Sequence, residues 1–213
     1  MTVEILFRDD HVLVVNKPAG VAVVFDRHRP DEVSFWQELW RSHGPVYVVH
    51  RLDRETTGAL VFARSQAAQK ALSQAFAKHR VAKIYHAVVV GVPFWHEVTA
   101  ERPLRENGDG AHRTVVDWER GKPAQTRFRL LRVLPGERAL VEASPLTGRR
   151  HQVRAHLAAL GFPILGDALY GGGKDAPRPL LHARAVTFPH PEGEGFVEVS
   201  APYPEDMMTS LGC

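Results

Sequence analysis

The sequence predicts an α+β fold: a single domain over residues 1–213, with a largely antiparallel mixed sheet flanked by helices and loops. Three observations lead there. Short runs rich in β-branched and aromatic residues recur along the chain, and the links between them are mostly of hairpin length. Only three stretches carry a helical apolar period, so about ten strands and three helices are expected.

Val3 to Phe7 and Val12 to Val15 are β-rich runs separated by Asp9, Asp10 and His11, which predicts an opening hairpin ended by Lys17-Pro18-Ala19-Gly20. Asp31 to Ser42 sets Val33, Trp36, Leu39 and Trp40 at helical spacing before a Gly44-Pro45 stop, so this helix is expected to bury an aromatic face. Tyr47 to Val49 and Ala59 to Ala63 read as strands flanking a polar loop, Arg51 to Gly58. Ser65 caps a second helix with the stripe Ala68, Ala71, Leu72, Ala75 and Phe76; Lys78, His79 and Arg80 crowd its C-terminal end, where the helix dipole favours cations.

Further strands are expected at Lys83 to Val90, Glu97 to Glu101, Thr114 to Trp118, Thr126 to Val133 and Ala139 to Ala143, the last two joined by a Pro135-Gly136 turn. His151 to Leu160 is the third helix, with Val153, His156, Leu157 and Leu160 on one stripe, Arg154 pointing elsewhere, and Gly161 and Pro163 ending it. Gly171 to Pro179 reads as a mobile surface loop, and Leu181 to Phe188 and Phe196 to Val199 as closing strands.

Of the 213 residues, 44% are hydrophobic and 24% charged, which excludes disordered, collagen-like and membrane classes. The one cysteine, Cys213, cannot found a disulfide framework, and the first ten residues match neither a signal peptide nor a membrane span. A cytoplasmic protein without membrane partners is expected. Net charge is +3, and the arginine-dense stretches Arg127-Arg129-Arg132 and Arg149-Arg150-Arg154 suit phosphate contact as well as a solvated face.

His50-Arg51-Leu52-Asp53 puts a carboxylate at a strand-to-loop junction, which fits catalysis and, equally, a turn aspartate capping backbone amides. A kinase-like catalytic loop does not fit, because no Gly-rich phosphate loop precedes it and Gly58 stands where a metal-binding asparagine would be needed. His151 and His156 are five apart, off the shared helix face of a zinc pair, and no metal site is expected. Gly171-Gly172-Gly173 lacks the Lys-Ser or Lys-Thr of a phosphate loop.

Taken together, the segments resemble the RluA-type family of RNA pseudouridine synthases, in that family's order. Ile5 to Gly20 (ILFRDDHVLVVNKPAG) resembles its opening strand pair, and His50 to Arg64 (HRLDRETTGALVFAR) its catalytic motif. Lys83 to Gly91 (KIYHAVVVG) is similar to the second motif, and Gly148 to Gly172 (GRRHQVRAHLAALGFPILGDALYGG) to the third. Leu181 to Pro191 fits the closing strand, and Gly121 to Phe128 (GKPAQTRF) fits as well. Departures are small: Thr57 where serine is common, Arg150 where threonine or serine is common, and Ala155 where a β-branched residue is common.

The resemblance implies one pseudouridine synthase catalytic domain without an added N-terminal RNA-binding module. It implies a cofactor-free isomerase in which the N1–C1′ bond of uridine breaks, the uracil turns, and C5 rejoins C1′. A glycosidase needs two carboxylates; one can suffice here, because the detached base is itself the returning nucleophile. Asp53 is the matched carboxylate, whether it attacks C6, attacks C1′ or assists glycal formation. Tyr85 is implied to lie against the uracil and to help remove the C5 proton, and Arg154 to pair with Asp53 and keep it ionised. The target uridine must be flipped out of its stack, with Arg51 and His50 the candidates for the inserted side chain. Arg127, Arg129, Arg149 and Arg150 are candidate phosphate contacts. The implied partner is large-subunit ribosomal RNA, transfer RNA or both, GKPAQT leaning to the compact ribosomal or dual-specificity branch, and the expected state is a monomer. Two other readings are an RNA-binding assembly factor, which would not need Asp53, Tyr85 and Arg154 together, and a hydrolase using Glu55 to activate water.

Overall fold

The structure is a computed structural model that describes residues 3–25, 29–193 and 195–212; Met1, at the head of the opening segment, and Cys213 lie outside them. In chain order the elements are β1 (Glu4–Arg8), β2 (Val12–Lys17), α1 (Phe35–His43), β3 (Tyr47–Val48), β4 (Thr57–Ala63), α2 (Gln66–Ala77), β5 (Ala82–Val90) and β6 (Glu97–Glu101). There follow β7 (Leu104–Arg105), β8 (Val115–Val116), β9 (Gln125–Leu134), β10 (Arg138–Pro145), α3 (Gln152–Ala159), β11 (Leu181–Pro189), β12 (Phe196–Ser200) and α4 (Glu205–Leu211). The backbone divides into two compact units, residues 1–82 with 183–202, and 83–182 with 203–213.

In the first unit β1 and β2 form the expected antiparallel hairpin, and β2 pairs in turn with β4. Its turn is fixed by Asp9, whose Oδ1 accepts from the amides of His11 and Val12 at 2.8 and 2.7 Å. Every residue of β4 is buried, as its unbroken small and apolar sequence requires of a strand covered on both faces. Gly58, the second residue of that strand, sits at φ +110°, and a Cβ there would meet the Ala183 carbonyl oxygen of β11 at 2.3 Å, so only glycine allows this approach. Ser65 caps α2 by accepting from the Ala68 amide, and Ala68, Leu72 and Ala75 pack on Val12, Val14, Val61 and Phe188.

Helix α1 begins later than the apolar spacing predicts. A capping box sets its start, the Ser34 hydroxyl accepting from the Gln37 amide while Gln37 reaches back to the Ser34 amide. Val33 therefore precedes the helix, and the buried face is Phe35 and Leu39 in place of an indole stripe; Val33 and Trp40 are 44% and 40% exposed. Trp36 spends its indole N–H on the Val46 carbonyl at 2.7 Å.

The second unit carries an antiparallel sheet in the order β5-β10-β9-β6, with the Pro135-Gly136 turn where it was expected and Gly136 at φ +75°. Three differences from the sequence expectations stand out. The strand expected over 114–118 shrinks to β8 and pairs with β7, two residues long and below any periodicity signal. Helix α4 was not foreseen; Met207 and Leu211 bury it against Val88, Leu140, Leu165 and Leu180. Helix α3 is covered all round: Val153 and Leu157 enter the sheet core with Ala87, Phe128 and Val141, while Ala155 packs with Leu104 and Tyr170. Arg154 is consequently buried, 9% exposed.

Gly171-Gly172-Gly173 is a packed turn rather than a mobile loop. The Gly172 amide donates to the Asp167 carbonyl at 2.8 Å, its carbonyl accepts from the Gly166 amide, and a Cβ on Gly172 would lie 1.7 Å from the Ile164 carbonyl oxygen. Beyond it, Arg178 is held bidentately by Asp206 at 2.7 and 2.9 Å. Among the described residues no helix is long and apolar enough to cross a membrane.

Candidate active site

Asp53 lies in the first unit, on the loop between β3 and β4, half-buried, with its carbonyl accepting from the Thr56 amide at 3.1 Å. The loop is held from beneath by Lys17, the last residue of β2. Its side chain is fully buried, and its ammonium donates to the carbonyls of Pro18, Arg54 and Thr56 at 2.7, 2.9 and 2.9 Å. A cation seated on carbonyl dipoles satisfies oxygens that would otherwise be orphaned under a tight turn. Lys17 was missed by sequence reasoning; the signal was a lysine ending an otherwise buried strand. Next to Asp53, Arg54 donates to the Gly20 carbonyl and to Glu32 at 3.0 and 2.6 Å, tying the loop to residues ahead of α1.

His50 is built into the fold. Its ring stacks on Phe76 with centroids 4.4 Å apart, and Nε2 accepts from the Val61 amide at 3.0 Å. That nitrogen is therefore unprotonated, and the ring serves as a prop for β4. Arg51 is exposed, and no side-chain partner holds it among the described residues.

Tyr85 and Arg154 belong to the second unit. Tyr85 is half-buried on β5 opposite Ala143 of β10 and packs against the sheet core. Lys83, two residues earlier and so on the same strand face, donates to the Thr147 carbonyl at 3.2 Å. Burial holds its ammonium below the ordinary lysine range. Arg154 is oriented from two sides: Asp167 accepts from Nε and Nη2 at 2.7 and 2.9 Å, and the Tyr170 ring lies 5.0 Å below the guanidinium carbon. Asp167 is 1% exposed, so this is a buried pair whose geometry matters more than its net stabilisation. Tyr170 is anchored in turn, its hydroxyl donating to the Thr114 carbonyl and accepting from the Thr114 amide; burial raises its pKa. Asp167 and Tyr170 were also missed, though both stand within the third motif, in GDALYGG.

The start of α3 is knotted to the sheet by Gln152. Its Oε1 accepts from the Arg149 amide and the Thr147 hydroxyl at 3.0 and 2.7 Å, and its Nε2 donates to the Gln125 carbonyl and the Thr126 hydroxyl. Arg149 and Arg150 thereby project from a fixed turn. Arg127 and Arg129 are exposed on β9, but Arg129 pairs with Glu142 at 3.1 Å and lies opposite Glu97 of β6, so much of its charge is already offset. Arg127 faces Thr99 and Ser144 instead. No group of three or more His, Cys, Asp or Glu able to hold a metal ion is found among the described residues.

A sequence profile described as RNA pseudouridylate synthase matches residues 11–159. The dual-specificity RNA pseudouridine synthase RluA of Escherichia coli K12 is 38% identical over 201 residues, 93% of this chain and 92% of that protein. Two solved human structures share the fold. RNA Pseudouridylate Synthase Domain Containing 1 has a TM-score of 0.81 and 31% identity, covering 95% of this chain and 84% of that one. RNA Pseudouridylate Synthase Domain Containing 4 also has a TM-score of 0.81, with 28% identity and coverage of 98% and 92%.

Proposed function

The chain belongs to the RNA pseudouridylate synthase family, and from that premise we propose that its chemistry turns on Asp53. The protein is an isomerase that converts uridine to pseudouridine in RNA. Three steps are required: cleavage of N1–C1′, rotation of the uracil, and C5–C1′ bond formation with loss of the C5 proton. Attack at C6, attack at C1′ and glycal formation all demand an ionised carboxylate held at a fixed height against the nucleotide, because a misplacement of about 1 Å can cost about 10²-fold in rate. The observation that carries the reading is the seat of that carboxylate, a loop pinned through the Arg54 and Thr56 carbonyls by a buried lysine.

Tyr85 supplies the ring on which uracil stacks and, by its hydroxyl, a route for the C5 proton. Arg154 is the cation of the catalytic set, its own orientation fixed by Asp167 and Tyr170. Arg51 fills the gap left by the flipped uridine, a role that its exposure supports and that the engaged ring of His50 does not. Arg127, Arg149 and Arg150 contact phosphates. The relative in E. coli is named for dual specificity, and we extend that here: large-subunit ribosomal RNA and transfer RNA are both substrates, modified by a monomer in the cytoplasm. The experiment is tritium release from RNA labelled at uracil C5, run separately on the two RNA pools. Label released from both supports the reading, release from one narrows the substrate to that class, and release from neither overturns it.

A further inference from the structure

Apart from Thr114, which anchors Tyr170, the β7–β8 hairpin and the turn after it have no part in the chemistry above, yet they display an indole to solvent. Trp118 is 73% exposed. A tryptophan left in water on a slack loop would need no explanation, but this loop is not slack. The Asp117 amide donates to the Pro103 carbonyl, and the Gly121 amide closes the turn on the Asp117 carbonyl at 2.9 Å. The Asp117 carboxylate accepts from the amides of Glu119 and Arg120 at 3.0 and 2.8 Å and from Arg105 Nε at 2.6 Å. Across the hairpin, Asp109 likewise binds the amides of Ala111 and Arg113 and the Arg113 side chain. The indole is thus presented by a segment whose backbone is already ordered, so a ligand stacking on it forfeits little conformational entropy.

Charge around the hairpin selects the ligand. Residues 102–122 with Arg149 and Arg150 hold seven Lys and Arg side chains against four carboxylates. Asp109 and Asp117 are engaged by Arg113 and Arg105, whereas among the described residues Arg149 and Arg150 donate to neutral oxygens: the Pro123 carbonyl, Asn107 Oδ1 and the His112 carbonyl, at 3.2, 2.9 and 3.3 Å. Among the described residues no carboxylate compensates their charges. In sequence the indole is flanked by Asp117, Glu119 and Arg120 rather than by apolar side chains, which disfavours a hydrophobic protein partner. An exposed aromatic face on the same ordered hairpin that Arg150 reaches through Asn107 and His112 offers what single-stranded nucleic acid binds, bases on the ring and phosphates on the cations.

We propose that Trp118 is a stacking platform for an unpaired base of the RNA substrate outside the modified uridine, with Arg149 and Arg150 holding neighbouring phosphates. The inference rests on the RNA reading above and adds a contact away from the reacting base.

The test measures the affinity of the full chain for oligouridine and for a blunt-ended RNA duplex across a salt series. Trp118→Ala should weaken oligouridine binding about 5- to 100-fold, the loss of one base–aromatic stack. It should leave duplex binding and the salt slope unchanged, and Trp118→Phe should restore most of the affinity. Arg149→Ala should instead lower the slope of log affinity against log salt by roughly 0.7 on the single strand. Unchanged oligouridine affinity in Trp118→Ala overturns the proposal, as does an equal loss on both RNAs. So does altered self-association with RNA affinity intact, which would assign the indole to a second copy of the chain. Tritium release by the wild-type protein is read independently, so failure of this inference is distinguishable from failure of the functional reading.

Discussion

Replacing Lys17 by Met keeps the shape of a buried side chain and removes the ammonium beneath the Asp53 loop. The carbonyls of Pro18, Arg54 and Thr56 would then lose a donor at 2.7–2.9 Å in a site without solvent. Hydrogen bonds from a charged donor contribute about 1.5–3 kcal/mol each, so the gross loss is roughly 5–9 kcal/mol. Methionine also relieves the several kcal/mol that burying an ammonium costs, leaving a net destabilisation of about 2–4 kcal/mol. For a chain of this size that corresponds to a fall in Tm of about 4–15 °C, measurable by calorimetry. The kinetic effect should exceed what partial unfolding explains: with the Thr56–Asp53 turn unsupported, kcat should drop about 10²-fold at a temperature where the variant is fully folded. Hydrogen exchange at the Thr56 amide, protected in the wild type by the Asp53 carbonyl, should accelerate selectively. A Lys17→Met protein with Tm within about 2 °C of wild type and unchanged kcat would refute the reasoning.

His156 accepts from the Thr126 hydroxyl at Nδ1 and donates from Nε2 to the Arg102 carbonyl, both at 3.0 Å, and burial depresses its pKa below the ordinary 6.5. Its folded pKa being the lower, the stability it contributes is complete above about 6.5 and is lost as pH falls through the folded value; His156→Gln should flatten the acid side of a Tm–pH profile, and an unaltered profile would remove His156 as its cause. Arg150→Ala should lower the slope of log RNA affinity against log salt by about 0.7–0.9, and an unchanged slope would take Arg150 off the phosphate path. Arg51→Ala should bind RNA within a fewfold of wild type but turn over far more slowly, since base extrusion rather than docking is impaired; wild-type single-turnover rates would end the insertion role.

Much of the fold was legible because its strands announce themselves locally. The alternation and turn residues of β1–β2 and of β9–β10 fix both hairpins, and Ser65 marks α2 to the residue. What escaped was decided by tertiary packing. Helix α4 is short and half polar, and it is held by Arg178–Asp206, a pair 28 residues apart in sequence. Arg154 looked like a residue off the apolar stripe, yet Asp167 and Tyr170 close over it. The same limit applied at the site: motif likeness pointed to Asp53, Tyr85 and Arg154, while the groups that seat them act through carbonyls and buried pairs, which no spacing rule encodes. Lys17 is the clearest case, since a fully buried lysine reads from sequence as an exposed strand end.

The central claim is tested most directly by Asp53→Asn, which changes one oxygen to nitrogen and leaves the backbone bonds of its loop in place. RNA carrying tritium at uracil C5 is incubated with each protein, and the label released to water is counted, with circular dichroism and RNA affinity measured alongside. The account predicts release by the wild type and none above background by Asp53→Asn, with folding and RNA binding preserved. Release by Asp53→Asn at a rate near wild type would contradict it.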